Sequence, residues 1–180
     1  EVHREGKVFE QHYSKGKPLG PVQVVGEAED SGTVITFHPD PAIFTQTTVY
    51  RYDTLAARLR ELAFLNKGIH IRLTDERELV DEFEVDASGE SKATGRKVFR
   101  SETFYSERGL SEFIEYLDAG AQTIIPQPVC VTSDKILPID IALQYNNGFS
   151  EKIYSYVNNI HTIEGGTHLQ GFKMGLSRAM

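Results

Sequence analysis

Six histidines, one cysteine and a Gly-Gly-Thr turn are the residues of this 180-residue chain whose types could carry chemistry unaided. The histidines stand at positions 3, 12, 38, 70, 161 and 168, and no two fall four apart. A helix-borne zinc hydrolase site needs that spacing to put two imidazoles and a carboxylate on one face. Cys130 lies in the apolar run from Pro126 to Thr132, where a small buried hydrophobe is the expected role. A single cysteine forms neither an intramolecular disulfide nor a cysteine-based zinc cluster. Gly165-Gly166-Thr167 opens a helical pattern, and its backbone N–H groups could receive an anion. The simpler reading is a sharp strand-to-helix turn capped by Thr167. There is no Gly-x-Ser-x-Gly elbow, no P-loop and no dinucleotide fingerprint. Catalytic motifs alone leave the chemistry open.

Composition narrows the class. Apolar residues make up 39% of the chain and charged residues 25%, with a formal net charge of −7. That apolar fraction is too high for disorder, and no apolar run approaches the ~18 residues that span a bilayer. The length suits one domain or two small ones, and a chain of this size is expected to bury roughly 70% of its unfolded surface. No charged and apolar leader precedes Glu1, so a soluble, cytoplasmic protein with no membrane contact is expected. The acidic balance argues against a main docking surface for a phosphate backbone. Glu1-Val2-His3-Arg4 already reads as a strand, and Leu169, Phe172 and Leu176 form a helical stripe with no closing signal before Met180. Both ends read as cuts through a longer chain.

The elements alternate between strands and helices. Residues 1–5 and 7–13 flank Gly6 as a hairpin, while 22–25 and 34–37 are two short strands. Asp53 is the expected N-cap of a helix over 54–66, whose stripe is Leu55, Leu59, Leu62 and Ala63 and whose stop is Gly68. Ile69, Ile71 and Leu73 alternate as a half-buried strand. Residues 86–97 offer almost nothing to bury and read as a solvated hairpin tip or mobile loop. A strand over 98–105 and a short helix from about Gly109 follow, and a boundary is placed at about 106–109. Strands 126–132 and 139–145 come next. Asn146-Asn147-Gly148 reads as a type I′ turn returning into a strand over 151–159.

Three groups of strings occur in an order that carries a family resemblance. They are Arg58-Leu59-Arg60-Glu61-Leu62-Ala63-Phe64-Leu65-Asn66-Lys67-Gly68 with Leu73-Thr74-Asp75-Glu76-Arg77, then Ala142-Leu143-Gln144-Tyr145-Asn146-Asn147-Gly148-Phe149, then Asn158-Asn159-Ile160 with Glu164-Gly165-Gly166-Thr167-His168-Leu169-Gln170-Gly171-Phe172. The chain thereby resembles the B-subunit family of DNA gyrase, the ATPase subunits of type IIA topoisomerases, through nearly its whole length. The Leu169–Phe172 wording favours gyrase over the related topoisomerase IV ATPase subunit. Two departures stand out, a long segment around 86–97 and Arg108 where the family usually has Glu-Gly-Gly before the short helix.

The resemblance implies an α+β chain that straddles two domains. Residues 1–107 would be the second half of a GHKL-type ATPase sandwich, shared with histidine kinases and mismatch-repair proteins. Residues 108–180 would open a transducer domain of ribosomal-protein-like fold. The implied enzyme uses ATP and Mg²⁺ to supercoil DNA negatively by double-strand passage. Its implied partners are the A subunit of DNA gyrase, a second copy of the B subunit and double-stranded DNA. Ser31-Gly32-Thr33-Val34-Ile35 matches the family strand whose threonine hydroxyl joins the water network around adenine. Thr33, Gly32 and Ile35 are therefore the expected nucleotide-binding residues. The water-activating Glu, the Mg²⁺-holding Asn and the glycine-rich lid would lie before residue 1. The γ-phosphate-reaching Gln and Lys would lie after residue 180. No catalytic residue and no metal ligand is expected in this chain, which alone would be inactive. A stand-alone α+β interaction module that binds no nucleotide is the alternative reading.

Overall fold

The computed structural model describes residues 1–85, 89–135, 137–149 and 151–179. The chain divides into two compact units, Glu1–Tyr50 and Arg51–Met180.

In the first unit β1 (Val2–Arg4) and β2 (Lys7–Glu10) pair antiparallel around Glu5 and Gly6. Both tip residues have left-handed backbones, φ 54° and 74°, as a two-residue type I′ connection requires. β3 (Tyr13–Ser14) and β4 (Lys17–Pro18) form a second, minimal hairpin. β5 (Gln23–Glu27) pairs with β2, and β6 (Gly32–Thr33) with β1, giving a four-stranded sheet in the order β5-β2-β1-β6. The strand expected over 34–37 does not form. The Val34 N–H reaches the Glu1 carbonyl at 2.9 Å. No helix occurs in residues 1–50, so nothing in this unit covers the sheet. Val22, Val24, Val25, Phe37 and Phe44 are all exposed.

The second unit begins with α1 (Tyr52–Leu65), which packs on the base of a long ribbon formed by β7 (Ile71–Val85) and β8 (Ser91–Phe104). Tyr52, Ala56, Ala63 and Phe104 are its buried core, with Leu59, Ile71 and Leu73 against them. The small Ala56 and Ala63 let the helix approach the ribbon closely. Arg51, and not Asp53, is the N-cap residue of α1, without a side-chain bond. Asp53 lies in the first turn, where its charge suits the helix dipole, and accepts from Arg100 at 2.7 Å. Arg100 in turn lies 3.8 Å over the Tyr52 ring.

Of the two readings of 86–97, solvated hairpin tip or mobile loop, the hairpin fits: residues 91–97 belong to β8, with Lys97 paired to Asp81 and Ala93 to Phe83. Polar side chains do not prevent pairing when both faces of a ribbon are solvated. Positions 86–88 of that stretch fall outside the described residues.

α2 (Leu110–Leu117) follows, then β9 (Val129–Ser133) paired antiparallel with β10 (Ile139–Leu143). Next come β11 (Tyr156–Val157) with β12 (Ile160–His161), and α3 (Thr167–Ala179). The turn expected at 146–148 is not a hairpin tip. Asn146 bridges to Thr123 and donates to both carboxylate oxygens of Asp118 at 3.0 and 3.1 Å. The left-handed pair is Asn158 and Asn159, φ 49° and 65°, at the β11–β12 turn.

Among the described residues five apolar side chains are buried, all in the second unit: the four of the core and Phe113.

Candidate functional site

The three expected nucleotide-binding residues lie at the free edge of the first unit's sheet. Gly32 and Thr33 pair with His3 and Val2 respectively. The pairing is closed by the N-terminal ammonium of Glu1, which donates to the Val34 carbonyl at 2.7 Å. Strand alternation puts Thr33 and Ile35 on the same side, although Ile35 already stands past the end of β6. All three residues are exposed, Ile35 to 79%. A Cβ on Gly32 would meet only open space, and its backbone is not left-handed. Neither packing nor conformation within this chain therefore demands glycine there.

This strand end offers one hydroxyl, one free strand edge and one apolar side chain. Such a set can hydrogen-bond and stack beside a planar base, which fits the adenine side of a nucleotide site. It does not fit the metal side. Among the described residues no three His, Cys, Asp or Glu side chains group closely enough to hold a metal ion. The carboxylates of Glu1 and Asp30 face the ring of His3, the partner of Gly32 in β1, at 3.8 and 3.4 Å.

In the second unit a cleft of about 280 Å³ is lined by Arg60, Phe64, Glu102, Phe104, Tyr105 and Tyr116. Its charge is already matched: Arg60 ion-pairs with Glu102 and lies 5.2 Å from the Phe104 ring and 5.8 Å from that of Tyr116.

A constellation absent from the sequence expectations joins α1 to the β11–β12 turn. The Arg58 guanidinium donates to Glu61 and, at 2.5 Å, to the Asn159 carbonyl. The Tyr156 hydroxyl donates to the other Glu61 oxygen. The Asn159 amide donates to the Asn66 Oδ1 at 3.0 Å. Burial, together with the Glu61 carboxylate, pushes the Tyr156 phenol far above its ordinary range. The one sequence signal for this cluster was the Asn158-Asn159 pair, two residues that tolerate left-handed backbones.

Comparison with known proteins gives these features a context. The sequence model of the DNA gyrase B family matches residues 109–180. The DNA gyrase B subunit of Eisenibacter elegans is 49% identical over 180 residues, covering 99% of this chain and 34% of that protein. The corresponding protein of Halalkalibacterium halodurans is 46% identical over 181 residues, covering all of this chain and 25% of that protein. The chain thus spans about a quarter to a third of the length of these curated relatives. The fold matches the crystal structure of the 43K ATPase domain of Thermus thermophilus gyrase B, which was solved in complex with an aminocoumarin. That match has a TM-score of 0.77 and 30% identity, over 99% of this chain and 44% of the other. Identity and fold agree along nearly the entire α+β chain, which therefore belongs to the DNA gyrase B family.

Proposed function

We propose that this chain works as part of the ATPase region of a DNA gyrase B subunit. The whole enzyme would be an ATP-dependent type IIA topoisomerase that supercoils DNA negatively by passing one duplex through a double-strand break in another. The observation that carries the reading is identity of 46–49% to gyrase B proteins along the whole chain. The partners in this reading are the gyrase A subunit, a second copy of the B subunit and duplex DNA in the cytoplasm.

Within it, residues 1–107 form the second half of the ATPase sandwich and residues 108–180 open the transducer. The family match beginning at residue 109 supports that division. Thr33 contributes its hydroxyl to the adenine water network, Gly32 leaves room beside the base, and Ile35 supplies an apolar wall. ATP brings the phosphoanhydride whose hydrolysis drives the cycle. The groups that hold its phosphates and Mg²⁺ belong elsewhere in the full-length protein.

The test is reconstitution of the complete B subunit with its gyrase A partner on relaxed plasmid. ATP-dependent appearance of negative supercoils supports the reading. Relaxation without supercoiling assigns the chain to the topoisomerase IV type, and no ATP-dependent change in topology overturns it.

A further inference from the structure

The contact between α1 and the β11–β12 turn joins residues 93 to 101 apart in sequence through hydrogen bonds. Arg58 and Glu61 lie one turn apart on α1, so both present to the same side. Asn66 caps that helix. Its Nδ2 donates back to the Leu62 carbonyl at 2.8 Å, which leaves its Oδ1 free to accept from Asn159. Across from them, the left-handed backbone at Asn158 and Asn159 forms the hairpin tip that brings the Asn159 carbonyl and amide to α1. Tyr156, half-buried beside the Phe113 and His161 rings, supplies the last hydroxyl.

The polar groups of this contact satisfy one another across it. Removing one strands another in a partly dry setting. The cluster joins residues on the two sides of the division proposed at residue 108, beside the Phe64–Phe113 ring stack that also bridges it.

We propose that Arg58, Glu61, Asn66, Tyr156 and Asn159 form a polar clasp that positions the portion after residue 108 on α1 and so couples nucleotide turnover to DNA strand passage. None of these side chains touches nucleotide or DNA in this scheme. They are positioning residues, and the proposal rests on the reading of the chain as gyrase B.

The experiment uses full-length gyrase B reconstituted with gyrase A, carrying Tyr156→Phe, Arg58→Gln or Asn159→Gly. ATP hydrolysis, supercoils introduced per ATP consumed, and the thermal midpoint are measured together. The first two variants are expected to keep ATP hydrolysis within about twofold and lose roughly fivefold or more in supercoils per ATP, the low end of a typical coupling. Asn159→Gly keeps the left-handed turn and the carbonyl that Arg58 grips, so it should lose less. Unchanged supercoils per ATP in both Tyr156→Phe and Arg58→Gln overturns the clasp while leaving the gyrase reading intact. A parallel fall of hydrolysis and supercoiling with a lowered midpoint also overturns it, as that marks a structural brace. A wild-type holoenzyme that does not supercoil at all overturns the parent reading, and the coupling role with it.

Discussion

The Phe64 ring of α1 stacks on the Phe113 ring of α2, with centroids 5.2 Å apart and planes 16° from parallel. Phe113 is buried and also faces Tyr154 and Tyr156 at 6.2 and 6.4 Å. It is the buried ring at the centre of an aromatic cluster that also includes Tyr116, 5.6 Å from Phe64. Phe113→Ala should destabilise the ATPase region of gyrase B by about 3–5 kcal/mol, and Phe113→Leu by clearly less. Denaturant unfolding of the two variants measures this. Equal, small losses would show that the stack carries no packing energy.

Thr33→Val in the full-length protein keeps the branched shape and strand preference and removes one hydroxyl. Stranding polar partners in a closed nucleotide site costs about 1–3 kcal/mol, or roughly 5- to 150-fold in affinity for an ATP analogue. The nucleotide-free thermal midpoint should hardly move, because valine keeps the shape and strand preference of threonine. A midpoint that falls by many degrees at wild-type affinity would make Thr33 a purely structural residue.

Gly32→Ala separates room for the fold from room for a ligand. The added methyl meets nothing within the chain and the backbone is not left-handed. Stability should therefore hold or rise, by about 0.4–1 kcal/mol, through the unfolded state. Nucleotide affinity should fall if a base approaches this strand closely. Calorimetric titration beside a thermal melt reads both, and full affinity in the alanine variant would remove Gly32 from the site.

Glu112 gives a pH signature. Burial raises its carboxyl, but the bonds from Ser106 Oγ at 2.8 Å and the Arg108 N–H at 2.9 Å, with the Arg108 charge, outweigh that and lower it overall. A carboxyl lowered in the folded state binds fewer protons there than when unfolded, so stability rises with pH across the interval. The contribution is present above the unfolded value of about 4.3 and is lost as pH falls through the lower folded one. Glu112→Gln should cost about 1 kcal/mol at neutral pH, with the gap closing in acid. A gap that is constant from pH 7 to 3 would contradict the assignment. Arg108 is held by more than Glu112. Its guanidinium also forms two bonds with Glu115, at 3.0 and 2.7 Å.

Local pattern in the sequence determined the elements that rest on nearest neighbours. Gly6 marked the first hairpin, the Leu55–Ala63 stripe marked α1, and the alternation of Ile139, Ile141 and Leu143 marked β10. The family strings determined kinship, because 46–49% identity over the whole chain leaves little else to decide. Tertiary structure decided what depends on a distant partner. Residues 34–37 look like a strand, yet the strand pairing stops at Thr33. Residues 91–97 read as a hairpin tip or a loop, and pairing with β7 decides for the hairpin. Asn146-Asn147-Gly148 and Asn158-Asn159 carry equivalent turn chemistry, yet the hairpin tip is the latter, which docks on Arg58 and Asn66. The clasp itself was illegible for the same reason. A hydrogen bond across 101 residues leaves no periodicity in the chain, since its geometry exists only once α1 and the hairpin have been brought together.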